Sequence, residues 1–114
     1  MKNYLYIQII LNLMKLVYIT CKDKHEAVKI SKLLLDNKLA ACTNFFPISS
    51  MYWWEGKLNN DDEFVVIAKT KAENYDKIKE EVKKVHSYDI PCILCFDADA
   101  NEEYVKWVDD NLEN

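Results

Sequence analysis

The sequence predicts an α+β domain: an antiparallel sheet carrying helices on one face. Three observations predict it. Short β-branched and aromatic runs alternate with stretches whose apolar residues recur every three to four positions. Their order reads strand, helix, strand, strand, helix, strand, with one more helix at the end. The chain has 114 residues, half of them apolar, enough for one domain with its own core.

Residues 16–20 (LVYIT) are β-branched and aromatic, a first strand. Asp23 then precedes Glu26 by three residues, the capping-box spacing that opens a helix. Ala27, Ile30 and Leu34 give that helix an apolar face through about Lys38. From Leu39 the residues turn small and then β-prone, a long strand reaching Tyr52-Trp53-Trp54. Pro47 within it implies a bend, a bulge or an edge position, and Gly56 suggests a bulge near its end. Asn59-Asn60-Asp61-Asp62 is a turn signal, so residues 63–70 return antiparallel. A second helix covers residues 72–86, with Tyr75, Ile78, Val82 and Val85 on one face. Pro91 biases Ile90 away from helix and makes 88–91 a loop before the strand 92–96. Asn101 caps a last helix bearing Tyr104, Val105, Val108 and Leu112.

This βαββαβ order is the split-βαβ, ferredoxin-like arrangement with a C-terminal helix added. The strands carry a further message. Residues 64–68 (FVVIA) and 93–96 (ILCF) are continuously apolar, yet helices cover only one face of such a sheet. No element is left over for the second face, so other copies of the chain are expected to bury it. The chain reads as an obligate homo-oligomer.

Composition narrows the function. Fifteen basic residues, all lysine, face 19 acidic ones, a net charge of −4. Without arginine's bidentate fork, and without strand aromatics interleaved with basic residues, nucleic-acid binding is disfavoured. Cys21, Cys42, Cys92 and Cys95 are too few for a disulfide-stapled scaffold and sit in or beside apolar runs. Reduced thiols and a cytoplasmic location are expected. Residues 1–13 form an N-terminal extension ahead of a single domain at 14–114. The extension is apolar like a signal core, but no small-residue cleavage site follows it. Lys15 interrupts the run before it reaches a membrane-spanning length. It is therefore either an upstream start ahead of Met14 or an extra strand, and a strand is favoured.

No nucleophile motif, phosphate loop or paired-histidine zinc motif occurs, so no catalytic residue and no organic cofactor are assigned. Cys92 and Cys95 form a C-x-x-C, but in a strand these positions point to opposite faces. His25 belongs on the solvated first turn of the first helix. His86 ends the second helix, where it either caps the helix beside Tyr88 or acts as a metal ligand or acid–base group. Tyr52 and Trp54 share one strand face and Trp53 takes the other. This cluster reads as interface packing or as a small-molecule cleft, with Lys57 or Lys69 meeting an anion.

Five ordered motifs then stand together: Leu39-Ala40-Ala41-Cys42-x-Asn44, Tyr52-x-Trp54-x-Gly56-Lys57, Lys69-Thr70, His86-x-Tyr88-x-x-Pro91-x-Ile93 and Tyr104-x-x-Trp107. From Met14 to Leu112 the chain resembles the CutA divalent-cation tolerance family. The resemblance implies a homotrimer of ferredoxin-like protomers whose long second strand joins intersubunit sheets. It also implies a cytoplasmic, non-enzymatic role in tolerance of copper and other divalent cations. Copper or another divalent transition metal is the implied cofactor, with His86, Cys21 and Cys92 as candidate ligands. Cys42, Tyr52, Trp54, Gly56, Lys57, Lys69, Tyr88, Pro91, Tyr104 and Trp107 are the family-motif residues of cleft or interface. The expected partners are other copies of the chain and a metal ion or small anionic ligand, with neither nucleic acid nor membrane. An alternative implied by the same trimer shape is a metal-independent sensor or scaffold like the PII-type signalling proteins. Such a protein would bind an anionic small molecule or a partner protein at subunit clefts. Several positions depart from the family pattern. Ser87 replaces a usual proline, Cys92 a common glutamate, and Ala100-Asn101 a glycine before the last helix. Val85-His86 keeps one histidine of a pair. Cys21 lies two residues past the family's strand cysteine, whose place Ile19 takes.

Overall fold

The computed structural model describes residues 13–113. The expected extra strand falls on residues 1–12 and so lies outside the described residues. The elements are β1 (Leu13–Cys21), α1 (Lys24–Asp36), β2 (Cys42–Trp54) and β3 (Lys57–Thr70). A 3₁₀ turn (Ala72–Asn74), α2 (Tyr75–Val85), β4 (Ile93–Asp99) and α3 (Glu102–Leu112) follow. The strands form one sheet in the order β2-β3-β1-β4, with every neighbouring pair antiparallel. This is the expected split-βαβ topology.

α1 begins where predicted: the Asp23 carboxylate accepts from the Glu26 N–H at 2.9 Å. Its face of Ala27, Ile30 and Leu34 is fully buried, as are Ile78 and Val82 of α2. They pack on Val17, Ile19 and Cys21 of β1 and on Val66 and Ala68 of β3, the main core. Each fully buried aliphatic side chain there contributes about 1.5–3 kcal/mol. α1 stops in a Schellman motif, with Leu39 N–H donating to Leu34 O at 2.9 Å and Lys38 N–H to Leu35 O at 3.1 Å. Lys38 holds the left-handed position of that motif, at φ 57°. The buried Thr70 hydroxyl donates to Leu39 O at 2.6 Å and ties this corner to the end of β3.

The structure corrects four sequence expectations. β1 starts at Leu13 rather than Leu16, because pairing with β4 extends as far as Leu13 opposite Asp99. The β2–β3 turn is Glu55-Gly56, not Asn59–Asp62. Both turn residues have positive φ, 50° and 75°, the type I′ geometry that suits the twist of a two-residue hairpin. Asn59, Asn60, Asp61 and Asp62 are strand residues of β3, opposite Tyr52, Met51, Ser50 and Ser49. Gly56 is thus a turn residue rather than a bulge, while Pro47 does lie on an edge strand. Asn101 occupies the N-cap of α3, but its side chain donates to Glu103 at 3.0 Å and does not cap the backbone.

The fourth correction concerns the second face of the sheet. β-strand alternation puts Leu16, Tyr18 and Thr20 of β1 opposite Lys69, Ile67 and Val65 on that face. α3 returns against β3 there: the Lys69 ammonium stands 5.3 Å from the centre of the Tyr104 ring, and Lys71 pairs with Asp109 at 2.7 Å. Val105 and Val108 of α3 are buried. The chain therefore does keep an element for one end of this face. Phe46, Leu94 and Phe96 remain exposed on it, and Met51, Trp53 and Leu58 are exposed on the hairpin.

Candidate functional site

The sheet, α1 and the turn after α2 converge at the C-terminal end of β1. Cys21 ends the strand and is fully buried. Glu26, in the first turn of α1, is also buried. Its Oε1 accepts from Lys22 N–H and from the Ser87 hydroxyl, both at 3.0 Å, and its Oε2 accepts from Ser87 N–H at 2.9 Å. His86 closes α2, its N–H donating to Val82 O at 3.0 Å. The His86 side chain is inaccessible to solvent, with Nε2 at 4.0 Å from Glu26 Oε1. One ligand atom each from Cys21, Glu26 and His86 lies within 4.8 Å of the other two.

Both nitrogens of the His86 ring are occupied. Nδ1 accepts from Tyr88 N–H at 3.0 Å, and Nε2 lies 2.7 Å from Thr20 O. A carbonyl only accepts, so Nε2 carries the proton. Burial pushes the Cys21 thiol up to about 12, and the nearby Glu26, Glu63 and Asp23 charges add to it. Burial also works against the Glu26 carboxylate, but the Lys22 and Ser87 hydrogen bonds and the His86 ring outweigh it. Its pKa is held below the ordinary value.

Sulfur, nitrogen and carboxylate oxygen suit a soft or borderline transition metal better than magnesium or calcium. Ligand atoms about 2.0–2.3 Å from an ion stand roughly 3.5 Å apart, so the cluster has to close by about an ångström. The thiol must also lose its proton, and Nε2 must release Thr20 O. The donor set fits a metal; the resting geometry makes uptake costly.

The sequence-predicted residues fall into separate groups. His86 and Cys21 come together, joined by Glu26, which sequence reasoning took only as a capping residue. Its spacing of five from Cys21 at a strand-to-helix junction was the available signal. Cys92 stands outside this cluster and lines a cleft of about 550 Å³ with Tyr52, Trp54, Glu63 and Tyr88. Cys95 instead packs against the core, so the C-x-x-C pair is split between faces. The Tyr88 hydroxyl donates to Glu63 Oε2 at 2.5 Å, and the Tyr52 hydroxyl donates to Asp61. Pro91 lies in the loop that carries Tyr88 and Cys92 to the cleft. A third group sits at the far end of β3, where Cys42 pairs with Lys69 and Tyr104 stacks on Trp107 at 5.6 Å. Lys57 follows the turn glycine Gly56, twelve strand positions from Lys69. That separation is about 40 Å along the strand, and neither lysine lines the cleft. His25 is exposed, as expected.

Residues 15–111 match the model of the CutA1 divalent ion tolerance protein family. The chain belongs to this family. The divalent-cation tolerance protein CutA of Archaeoglobus fulgidus is 44% identical over 98 residues, 85% of this chain and 96% of that one. Its solved structure, described as a periplasmic divalent cation tolerance protein, superposes with a TM-score of 0.86, covering 88% of this chain and 99% of the other at 42% identity. CutA1 from Pyrococcus horikoshii superposes with a TM-score of 0.84 at 38% identity, covering 89% and 100%. The α+β sheet-and-helix topology is thus that of CutA1 proteins. Among the described residues no helix is long and apolar enough to cross a membrane.

Proposed function

We propose that this CutA-family chain works in divalent-cation tolerance as a homotrimer that holds a soft transition-metal ion, Cu(I) foremost, between Cys21, Glu26 and His86. The observation that carries the reading is the approach of those three ligand atoms to within 4.8 Å in a buried site. A thiolate and an imidazole favour copper over hard cations, and a bound ion supplies the positive charge that would hold Cys21 deprotonated. Three protein donors are one fewer than in a closed structural site, so binding is reversible rather than permanent. Trimerisation is supported by Phe46, Leu94 and Phe96, exposed on the face that α3 leaves open. The working domain is 14–114, with 1–13 an extension. Four free thiols suit a cytoplasmic location.

The test is titration of the reduced, metal-free protein with Cu(I) and Zn(II), run on the natural chain and on Cys21→Ser, with the assembly followed by sedimentation. One Cu(I) per chain, at least tenfold weaker in Cys21→Ser, supports the site. Equal binding by both proteins contradicts it. A folded monomer at micromolar concentration contradicts the assembly.

A further inference from the structure

The buried Glu26 carboxylate is clamped by hydrogen bonds from two sides, and Ser87 supplies both of those that come from the turn after α2. The Ser87 hydroxyl donates to Oε1 at 3.0 Å and the Ser87 N–H to Oε2 at 2.9 Å. The remaining bond, from Lys22 N–H to Oε1 at 3.0 Å, is local to the start of α1. Oε1 is also the oxygen that stands 4.0 Å from His86 Nε2. A carboxylate oxygen offers about two lone-pair directions in its plane, and on Oε1 both are taken. A metal ion shared between Oε1 and the His86 ring therefore competes with one of these two donors.

The donors differ in freedom. Lys22 N–H is fixed by the backbone that enters α1, whereas the Ser87 hydroxyl turns away by one step of χ1 between staggered positions. Ser87 N–H keeps its hold on Oε2 while that happens. We propose that the Ser87 hydroxyl is a latch on the metal site: closed on Oε1 in the metal-free protein, it swings off as a soft ion binds and so limits how tightly the ion is held. The inference rests on the reading of Cys21, Glu26 and His86 as ligands. Ser87 is a positioning residue, because it touches the ligand Glu26 and not the ion. Such a neighbour can act with either sign. A hydrogen bond that orients a ligand and leaves its metal-facing lone pair open strengthens binding, and its loss weakens binding roughly 10–100-fold. A donor seated on the lone pair that the ion needs does the reverse. Ser87 N–H on Oε2 is of the first kind, and the Ser87 hydroxyl on Oε1 is of the second.

The experiment is a competition titration of the reduced, full-length protein with Cu(I) against a chromogenic chelator. It is run on the natural chain, Ser87→Ala, Ser87→Thr and Ser87→Val, with Cys21→Ser reporting on the site itself. Ser87→Ala is expected to hold Cu(I) about tenfold more tightly, the range for a released hydrogen bond to a charged group. Its metal-free form should at the same time unfold at lower denaturant. A merely structural role would lower that midpoint and leave the affinity unchanged or weaker. Ser87→Thr keeps the hydroxyl and should bind like the natural chain. Ser87→Val has the shape of threonine without the hydroxyl and should bind more tightly than Ser87→Thr. That pair decides the matter should Ser87→Ala fail to fold. Equal or weaker binding by the Ala and Val variants, where Cu(I) binding still depends on Cys21, overturns the latch and leaves the metal site standing. Binding indifferent to Cys21→Ser overturns both.

Discussion

His86 donates its Nε2–H to the carbonyl oxygen of Thr20 at 2.7 Å, across 66 residues of sequence. The bond ties the end of α2 to the penultimate residue of β1 and fixes the imidazole tautomer, because Tyr88 N–H already occupies Nδ1. His86 is therefore a structural residue before any metal arrives. The proposed ligand role and the observed helix-end role thus fall on one side chain.

That dual role makes His86→Ala informative without metal. The change leaves the Thr20 carbonyl and the Tyr88 N–H without their ring partner. Denaturant unfolding of the metal-free protein should show a loss of roughly 2–4 kcal/mol, on the scale of two abandoned buried groups. A loss under 0.5 kcal/mol would mean that water replaces the ring freely.

Glu26 sets an acid limit. Burial raises its pKa, but the hydrogen bonds from Lys22 and Ser87 win, so the folded value lies below the ordinary 4.5. A depressed folded pKa means stability fully present above the unfolded value and lost as pH falls through the folded one. Glu26→Gln should cost about 2–3 kcal/mol at pH 7. It should also flatten the decline in stability below about pH 4.5, as read from unfolding midpoints across pH. An unchanged acid limb would assign that decline to other carboxylates.

Cys21 works in the opposite direction. Its thiol, pushed up to about 12 mainly by burial, is favoured in the protonated form by the fold. The associated stability is present below the unfolded thiol value of about 8.5 and is lost as pH rises toward the folded one. In the metal-free protein at pH 8, iodoacetamide should label Cys21 at least a hundredfold more slowly than in denaturant, and more slowly than the partly exposed Cys42. Peptide mapping by mass spectrometry reads both rates. Equal labelling of the two cysteines would show that the β1 end opens readily.

Two left-handed positions are held by residues with side chains. Lys38 at φ 57° and Glu55 at φ 50° both pay the steric cost that glycine avoids. Lys38→Gly should stabilise by about 0.5–1 kcal/mol, and Glu55→Asn by a few tenths. Gly56→Ala should destabilise by roughly 1 kcal/mol through φ alone, because a Cβ there meets nothing within 4 Å. Thermal unfolding checks all three. A Gly56→Ala variant as stable as the natural chain would contradict the turn assignment.

The contrast between α1 and the hairpin shows what the sequence made legible. Asp23, Ala27, Ile30 and Leu34 announce a start and a core face that local spacing alone determines, and both are realised. Asn59–Asp62 looked like a turn because their composition matches one, yet they are strand residues. They lie on an arm that reaches beyond the core and so need no apolar alternation. The true turn carries only one glycine in a two-residue loop, with a glutamate in its other left-handed position. The stripe on α3 was legible as apolar, but nothing local says which face of the sheet receives it. The candidate site followed the same division. His86 and Cys21 stood out by residue type, whereas Glu26 joined them only through the packing of α1 against the turn after α2. The Glu63 carboxylate is likewise held by Tyr88, 25 residues away.

The central claim is that Cys21, Glu26 and His86 hold a soft metal ion together. X-ray absorption at the copper edge, on the reduced protein loaded with one Cu(I) per chain, tests it most directly. The account predicts one sulfur together with nitrogen and oxygen neighbours around each copper, and loss of that sulfur in Cys21→Ser. A copper environment without sulfur, or one unchanged by Cys21→Ser, would contradict it.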